Sequence, residues 1–251
     1  MTNRTLRNIC LHLETEVAYN CIIKGLGDVK RISFNNDFYY APLSLLSSGF
    51  EKLLKCILCY INRNDEGIVD PPPFEYSGLR WHHIRELLNK VLEELVKINY
   101  QDISEVTKND INIIKNDEDI RFIIELLTNF GMKGRYYNLN IVLNKKVEED
   151  PVNIWQDYEV QVLKKYPDLY YQFIESLSNP EISIDVYPTI TNHIVITIEQ
   201  LLSSISRIFQ KYPNNSMRQF KPMIKYFIKL EKEQFGKMDY REQTLKSLLS
   251  A

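Results

Sequence analysis

The chain has 251 residues, enough to bury one sizeable core, and 44% hydrophobic and 12% aromatic residues mark an ordered globular protein. A formal net charge of -2 excludes a global basic field, which leaves nucleic-acid contact to a local groove. Nothing approaches the roughly 18 uninterrupted apolar residues of a membrane span, and residues 1–8 are no signal-peptide core, so a soluble cytoplasmic protein is expected.

The segment from Leu6 to Ile32 reads as helical, with Gly25 and Gly27 as interruptions. Leu45, Leu46, Phe50, Leu53, Leu54, Ile57, Leu58 and Ile61 recur every three or four residues and predict an amphipathic helix. The polar run 62–67 stops it, and Pro71-Pro72-Pro73 forbids continuation. Cys56 and Cys59 make a C-x-x-C spacing inside that stripe. Without a second pair or a neighbouring histidine, they read as buried thiols packing like small hydrophobes. Leu79, Ile84, Leu87, Leu88, Val91, Leu92 and Leu95 predict the next helix, capped at Ser77 or Gly78.

The periodic run from Ile120 to Phe130 predicts a helix that begins after the acidic cap region 116–119 and ends at Gly131 or Gly134. Tyr136, Leu139, Leu143 and Val147 predict another, which ends before Pro151. A long one runs from an Asn153 cap through Trp155 and Tyr158 to Leu177, bending at Pro167. Residues 181–188 alternate like a strand but have no partner hairpin, so they read as an extended connector. Ile194–Phe209 and Met217–Leu230 supply two more helices, and Tyr240–Leu249 a short tail helix. Seven to nine helices with little or no sheet make an all-α bundle. Its expected core holds Phe50, Leu53, Leu54, Ile57, Leu58, Leu87, Leu88, Val91, Phe122, Leu126 and Leu127.

Ser48-Gly49-Phe50-Glu51-Lys52-Leu53-Leu54-Lys55 opens one long helix, and Gly78-Leu79-Arg80-Trp81-His82-His83 opens the next. Together with Phe130-Gly131-Met132-Lys133-Gly134-Arg135-Tyr136-Tyr137-Asn138-Leu139-Asn140, this layout resembles the HEPN superfamily over roughly residues 35–147. The resemblance implies a four- or five-helix bundle, often dimeric. Many members are ribonucleases of defence or toxin–antitoxin systems, and others are noncatalytic nucleotide- or protein-binding modules. On this view residues 1–34 are an N-terminal helical segment, 35–147 a HEPN-like bundle, and 148–251 a helical extension packed on it. Active members place four to six residues between an arginine and the histidine that follows it. This chain departs from that pattern: after four intervening residues Arg135 is followed by Asn140, which cannot exchange a proton near neutral pH.

Candidate site residues follow from the chemistry that each side chain can supply. His82 and His83 point about 100° apart on a helix, so one can line the mouth between the two helices while the other packs or caps. His82, His83 and Arg135 are the candidate catalytic residues, imidazole for proton exchange and guanidinium for phosphoryl charge. Glu51 makes an i,i+4 pair with Lys55, either for helix solubility or set against Arg80 or His83 across the mouth. Arg80, Lys133, Tyr136 and Asn140 join Glu51 as candidate substrate-binding residues, Lys133 on a glycine-flanked turn and Tyr136 for stacking on a base. No metal ligand set and no cofactor fingerprint is recognised. The expected partners are RNA or a nucleotide, and a second copy or another protein; the competing reading is a noncatalytic interaction or scaffold module.

Overall fold

A computed structural model describes residues 3–61, 82–98, 104–147, 149–179, 181, 183–210 and 221–250. These residues form eleven α-helices: α1 Asn3–Val29, α2 Tyr40–Ile61, α3 Ile84–Ile98, α4 Glu105–Asn116, α5 Glu118–Met132, α6 Tyr137–Val142, α7 Pro151–Lys164, α8 Pro167–Ser178, α9 Tyr187–Gln210, α10 Lys221–Lys229 and α11 Leu245–Ser250. Short 3-10 turns occupy Gly134–Tyr136 and Lys232–Gln234. Among the described residues there is no strand, only an isolated bridge between Ser33 and Asn36 in the α1–α2 connection. The fold is all-α, and no described helix is long and apolar enough to cross a membrane.

α1 and α2 form an antiparallel hairpin whose close approach rests on glycine. A Cβ at Gly25 would lie 2.7 Å from Leu46 Cγ, and one at Gly49 would lie 2.6 Å from Ile22 Cγ1 and 3.0 Å from the Ala18 carbonyl oxygen. Gly25 and Gly27 therefore do not interrupt α1 as the sequence suggests. They lie within one continuous helix, where packing against α2 and the C-terminal segment outweighs low helix propensity. α3 packs on α2 and α5, so the two helices flanking the polar mouth are in contact. The expected core residues are buried, except that Phe122 is half-buried and stacks on Tyr158 at 4.4 Å between ring centres.

Caps decide several boundaries. Asp117 ends α4 through its backbone N–H and starts α5 by accepting the Ile120 N–H at 2.9 Å, within the acidic region expected to cap that helix. The long helix expected from Asn153 to Leu177 is two helices. Asp150, not Asn153, caps α7 by accepting the Val152 N–H at 2.9 Å, and Pro167 forces a break before α8. The run from Tyr136 to Val147 gives only the short α6, which stops before Asn144, a residue in the left-handed region at φ 53. Its Leu139 and Leu143 are exposed, not core-facing. α4 has no counterpart among the elements read from the sequence. Residues 181 and 183–186 carry no strand, as expected of a connector, but Tyr187 and Pro188 already belong to α9.

α9 runs through the middle of the molecule and packs against α1, α4, α5, α7 and α10. One hydrophobic cluster takes in residues from Ala18 on α1 to Leu248 on α11. Several sequence-based expectations lie outside the described residues: the Ser77 or Gly78 cap, the break at Pro71–Pro73, Leu79, Arg80, Trp81, and the start of the 217–230 run.

Candidate functional site

Ser48, Glu51 and Lys55 lie at i, i+3 and i+7 along α2, so helical geometry sets them on one face. Glu51 is buried and Ser48 half-buried. A buried carboxylate needs partners, and Glu51 has three. Lys55 Nζ donates to Oε1 at 2.6 Å, His82 Nδ1 meets Oε2 at 2.9 Å, and an Arg135 terminal nitrogen stands 3.8 Å from the same Oε2. Burial alone would raise the Glu51 pKa, but hydrogen bonds from Lys55 and His82 outweigh it and hold the carboxyl below its ordinary range.

Arg135 reaches α2 from the 3-10 turn after α5. Gly134 lets that turn pass the start of α7, since a Cβ there would lie 2.9 Å from Pro151 Cγ. The Tyr40 hydroxyl donates to the Arg135 carbonyl at 3.4 Å, and the Arg135 guanidinium donates to Ser48 Oγ at 3.1 Å. Its Nε is buried and has no partner among the described residues.

His82 stands in the turn before α3, its side chain 54% exposed. A carboxylate only accepts, so the Glu51 contact places the proton of the neutral imidazole on His82 Nδ1, and Nε2 has no hydrogen-bond partner among the described residues. An imidazole oriented by a carboxylate, beside two fixed cations, is equipped for proton exchange and for stabilising a developing anion. These groups line an open cleft of about 500 Å³ with Glu14 and Cys10 of α1 and Lys52, Cys56 and Cys59 of α2. Lys52 is paired with Glu14. Burial pushes the Cys56 thiol up to about 12 and the Cys59 thiol up to about 11, so neither is a thiolate near neutral pH. That agrees with the reading of C-x-x-C as packing thiols.

Of the residues singled out from sequence, Glu51, His82 and Arg135 meet in this cleft. His83 does not: it directly precedes α3, its carbonyl accepting the Leu87 N–H at 3.0 Å and its Nε2 lying 3.3 Å from Glu86 of that helix. Lys133, Tyr136 and Asn140 line a second cleft, on the other side of the Gly134–Tyr136 turn, with Asn129, Lys146 and Pro151. Tyr136 is 64% exposed there. Arg80 lies outside the described residues. Ser48, Glu14 and Cys10 were missed; the i, i+3, i+7 spacing carries the signal for Ser48, but nothing in the sequence announces the α1 pair. Among the described residues no group of three or more His, Cys, Asp or Glu side chains is placed to hold a metal ion. Comparisons with protein-family models, with curated proteins and with solved structures return no match.

Proposed function

We propose that the chain is an RNA- or nucleotide-associated helical protein of the defence or toxin–antitoxin kind, located in the cytoplasm, and that the Glu51–His82–Arg135 cleft cleaves RNA without a metal ion. The observation that carries this reading is the convergence of an oriented imidazole, a guanidinium and an ammonium on one carboxylate in an open cleft. In this mechanism the ribose 2'-hydroxyl attacks the adjacent phosphorus while the 5' oxygen of the next nucleotide leaves. His82 Nε2 takes the 2'-hydroxyl proton and returns it to the departing 5' oxygen, Glu51 fixes the imidazole tautomer, and Arg135 and Lys55 take the phosphoryl charge. The resemblance to HEPN proteins supports the same chemistry. Its arginine–histidine pair would here be assembled in space from Arg135 and His82, since Asn140 lines the other cleft. Lys133, Tyr136 and Asn140 would then receive a neighbouring nucleotide, Tyr136 stacking on its base.

A fluorescent single-stranded RNA incubated in EDTA tests this. Wild type should leave 2',3'-cyclic phosphate ends, and H82A and R135A should each lose about 100- to 10,000-fold of the rate. Unchanged cleavage in both variants removes these residues as catalysts, and an absence of RNA binding overturns the reading. A noncatalytic interaction module, self-associating or bound to another protein, is favoured by one observation: Leu139, Ile141, Val142 and Leu143 are all exposed on and after α6. Such a protein would bind no RNA and would co-purify with its partner.

A further inference from the structure

A second constellation of reactive groups lies away from Glu51, built from three distant segments. Pro167 disfavours helical backbone at Tyr166, which sits between α7 and α8 at φ -118 and ψ 76 and is 36% exposed. Its hydroxyl lies 3.0 Å from Nδ1 of His193 on α9, and His193 Nε2 lies 2.9 Å from Asp119 Oδ2 on α5. Asp119 also accepts from Lys165 Nζ at 2.5 and 2.6 Å and from the Tyr158 hydroxyl at 3.2 Å. A carboxylate cannot donate, so the proton of neutral His193 is on Nε2, Nδ1 presents its lone pair, and the Tyr166 hydroxyl donates to it. This is the order of a primed nucleophile: hydroxyl, base, and a third group that orients the base.

A structural staple would be complete without the tyrosine, because the Asp119–Lys165 and Asp119–His193 pairs already tie α5 to the end of α7 and to α9. Tyr166 lines an open cleft of about 870 Å³, whose lining also includes Lys30, Arg31, Arg241 and Asp185. Lys30 donates to the Gly236 carbonyl, Arg31 pairs with Asp28 and Glu242, and Arg241 with Asp239. These partners hold the three cationic side chains in place.

We propose that Tyr166 is a nucleophile for phosphate esters entering this cleft, with His193 as its general base and Asp119 as the residue that positions His193. In the covalent step the Tyr166 oxygen forms a bond to phosphorus, the phosphoester bond to the leaving group breaks with its electron pair, and the phenolic proton passes to His193 Nδ1. The site is separate from the Glu51 cleft and does not depend on the reading given to it.

Diisopropyl fluorophosphate tests the nucleophile on the full chain, forming Tyr–O–P as fluoride leaves. Peptide mass spectrometry then compares labelling of Tyr166 with that of Tyr171, which is 70% exposed and has no base beside it among the described residues. Tyr166 should label at least tenfold faster than Tyr171. H193A should bring the two to parity, with imidazole in the buffer restoring the difference, a rescue that a purely structural role would not show. D119N should lower the ratio and D119E recover most of it. p-Nitrophenyl phosphate should protect Tyr166. Equal labelling of Tyr166 and Tyr171 in wild type, or an unchanged ratio in H193A, overturns the nucleophile. Full labelling in excess p-nitrophenyl phosphate overturns the assignment of phosphate esters.

Discussion

Glu159 and Glu51 are both buried carboxylates, and their surroundings drive them in opposite directions. Glu159 on α7 accepts from the Tyr39 hydroxyl at 2.9 Å and the Trp155 indole N–H at 2.8 Å, with no cation against it among the described residues. Burial pushes its pKa up to about 7, against those two hydrogen bonds. The folded chain then binds more protons than the unfolded one between about 4.5 and 7, so this residue makes stability fall as pH rises through that window. E159Q should flatten the fall, recovering about 2–3 kcal/mol at pH 8 relative to pH 4.5. Glu51, held low by Lys55 and His82, contributes stability above its ordinary value of 4.5 that is lost as pH falls through its folded pKa. E51Q should flatten only that acid limb, and melting temperatures of both variants from pH 3 to 8 check the two signs. Glu51 and His82 were legible because Glu51 interrupts the apolar stripe of α2 and His82 directly precedes the periodic run of α3. Asp119, His193 and Tyr166 were not, because 74 residues separate the acid from the base and no local pattern links them.

The missed helix, α4, shows why periodicity alone has limits at the scale of elements. Its buried face is Thr107, Asp110 and Ile114, two polar residues to one apolar, so the hydrophobic stripe is broken where the helix meets its neighbours. The face is satisfied by charge: Asp110, 2% exposed in its side chain, receives the Arg207 guanidinium of α9, which also donates to Ser203 and Ser204. D110A should cost about 3–5 kcal/mol in urea unfolding, because it leaves that guanidinium half-buried without its counter-ion. The α1–α2 hairpin fails in the reverse sense, with glycines that look like breaks serving as contact points. Helix propensity alone makes G49A stabilising by roughly 1 kcal/mol. The 2.6 Å approach to Ile22 and the 3.0 Å approach to the Ala18 carbonyl argue for overpacking worth about 1–3 kcal/mol in the other direction. The sign of the measured change separates the two, and a net loss is expected.

At the scale of the molecule, the C-terminal half is part of the core that holds the candidate site in place. α2 carries Ser48, Glu51 and Lys55, and α5 leads into Arg135; α5 is packed in turn against α7 and α9. α9 buries Ile194, Val195, Ile198, Leu201, Leu202, Ile205 and Phe209 in the same cluster that contains Phe50 and Leu54 of α2. Cutting the chain at 147 would expose the faces of α4 and α5 that α9 covers and remove the Arg207 partner of Asp110. The full chain should therefore unfold in one calorimetric transition, its van't Hoff enthalpy matching the calorimetric one. Leu54→Ala on α2 and Leu202→Ala on α9 should each lower that one transition, at a cost of about 2–5 kcal/mol. A 35–147 fragment should show no cooperative melt of its own. Two resolved transitions, with Leu54→Ala moving one and Leu202→Ala the other, would show that the halves fold independently and that Arg135 is positioned without the C-terminal helices.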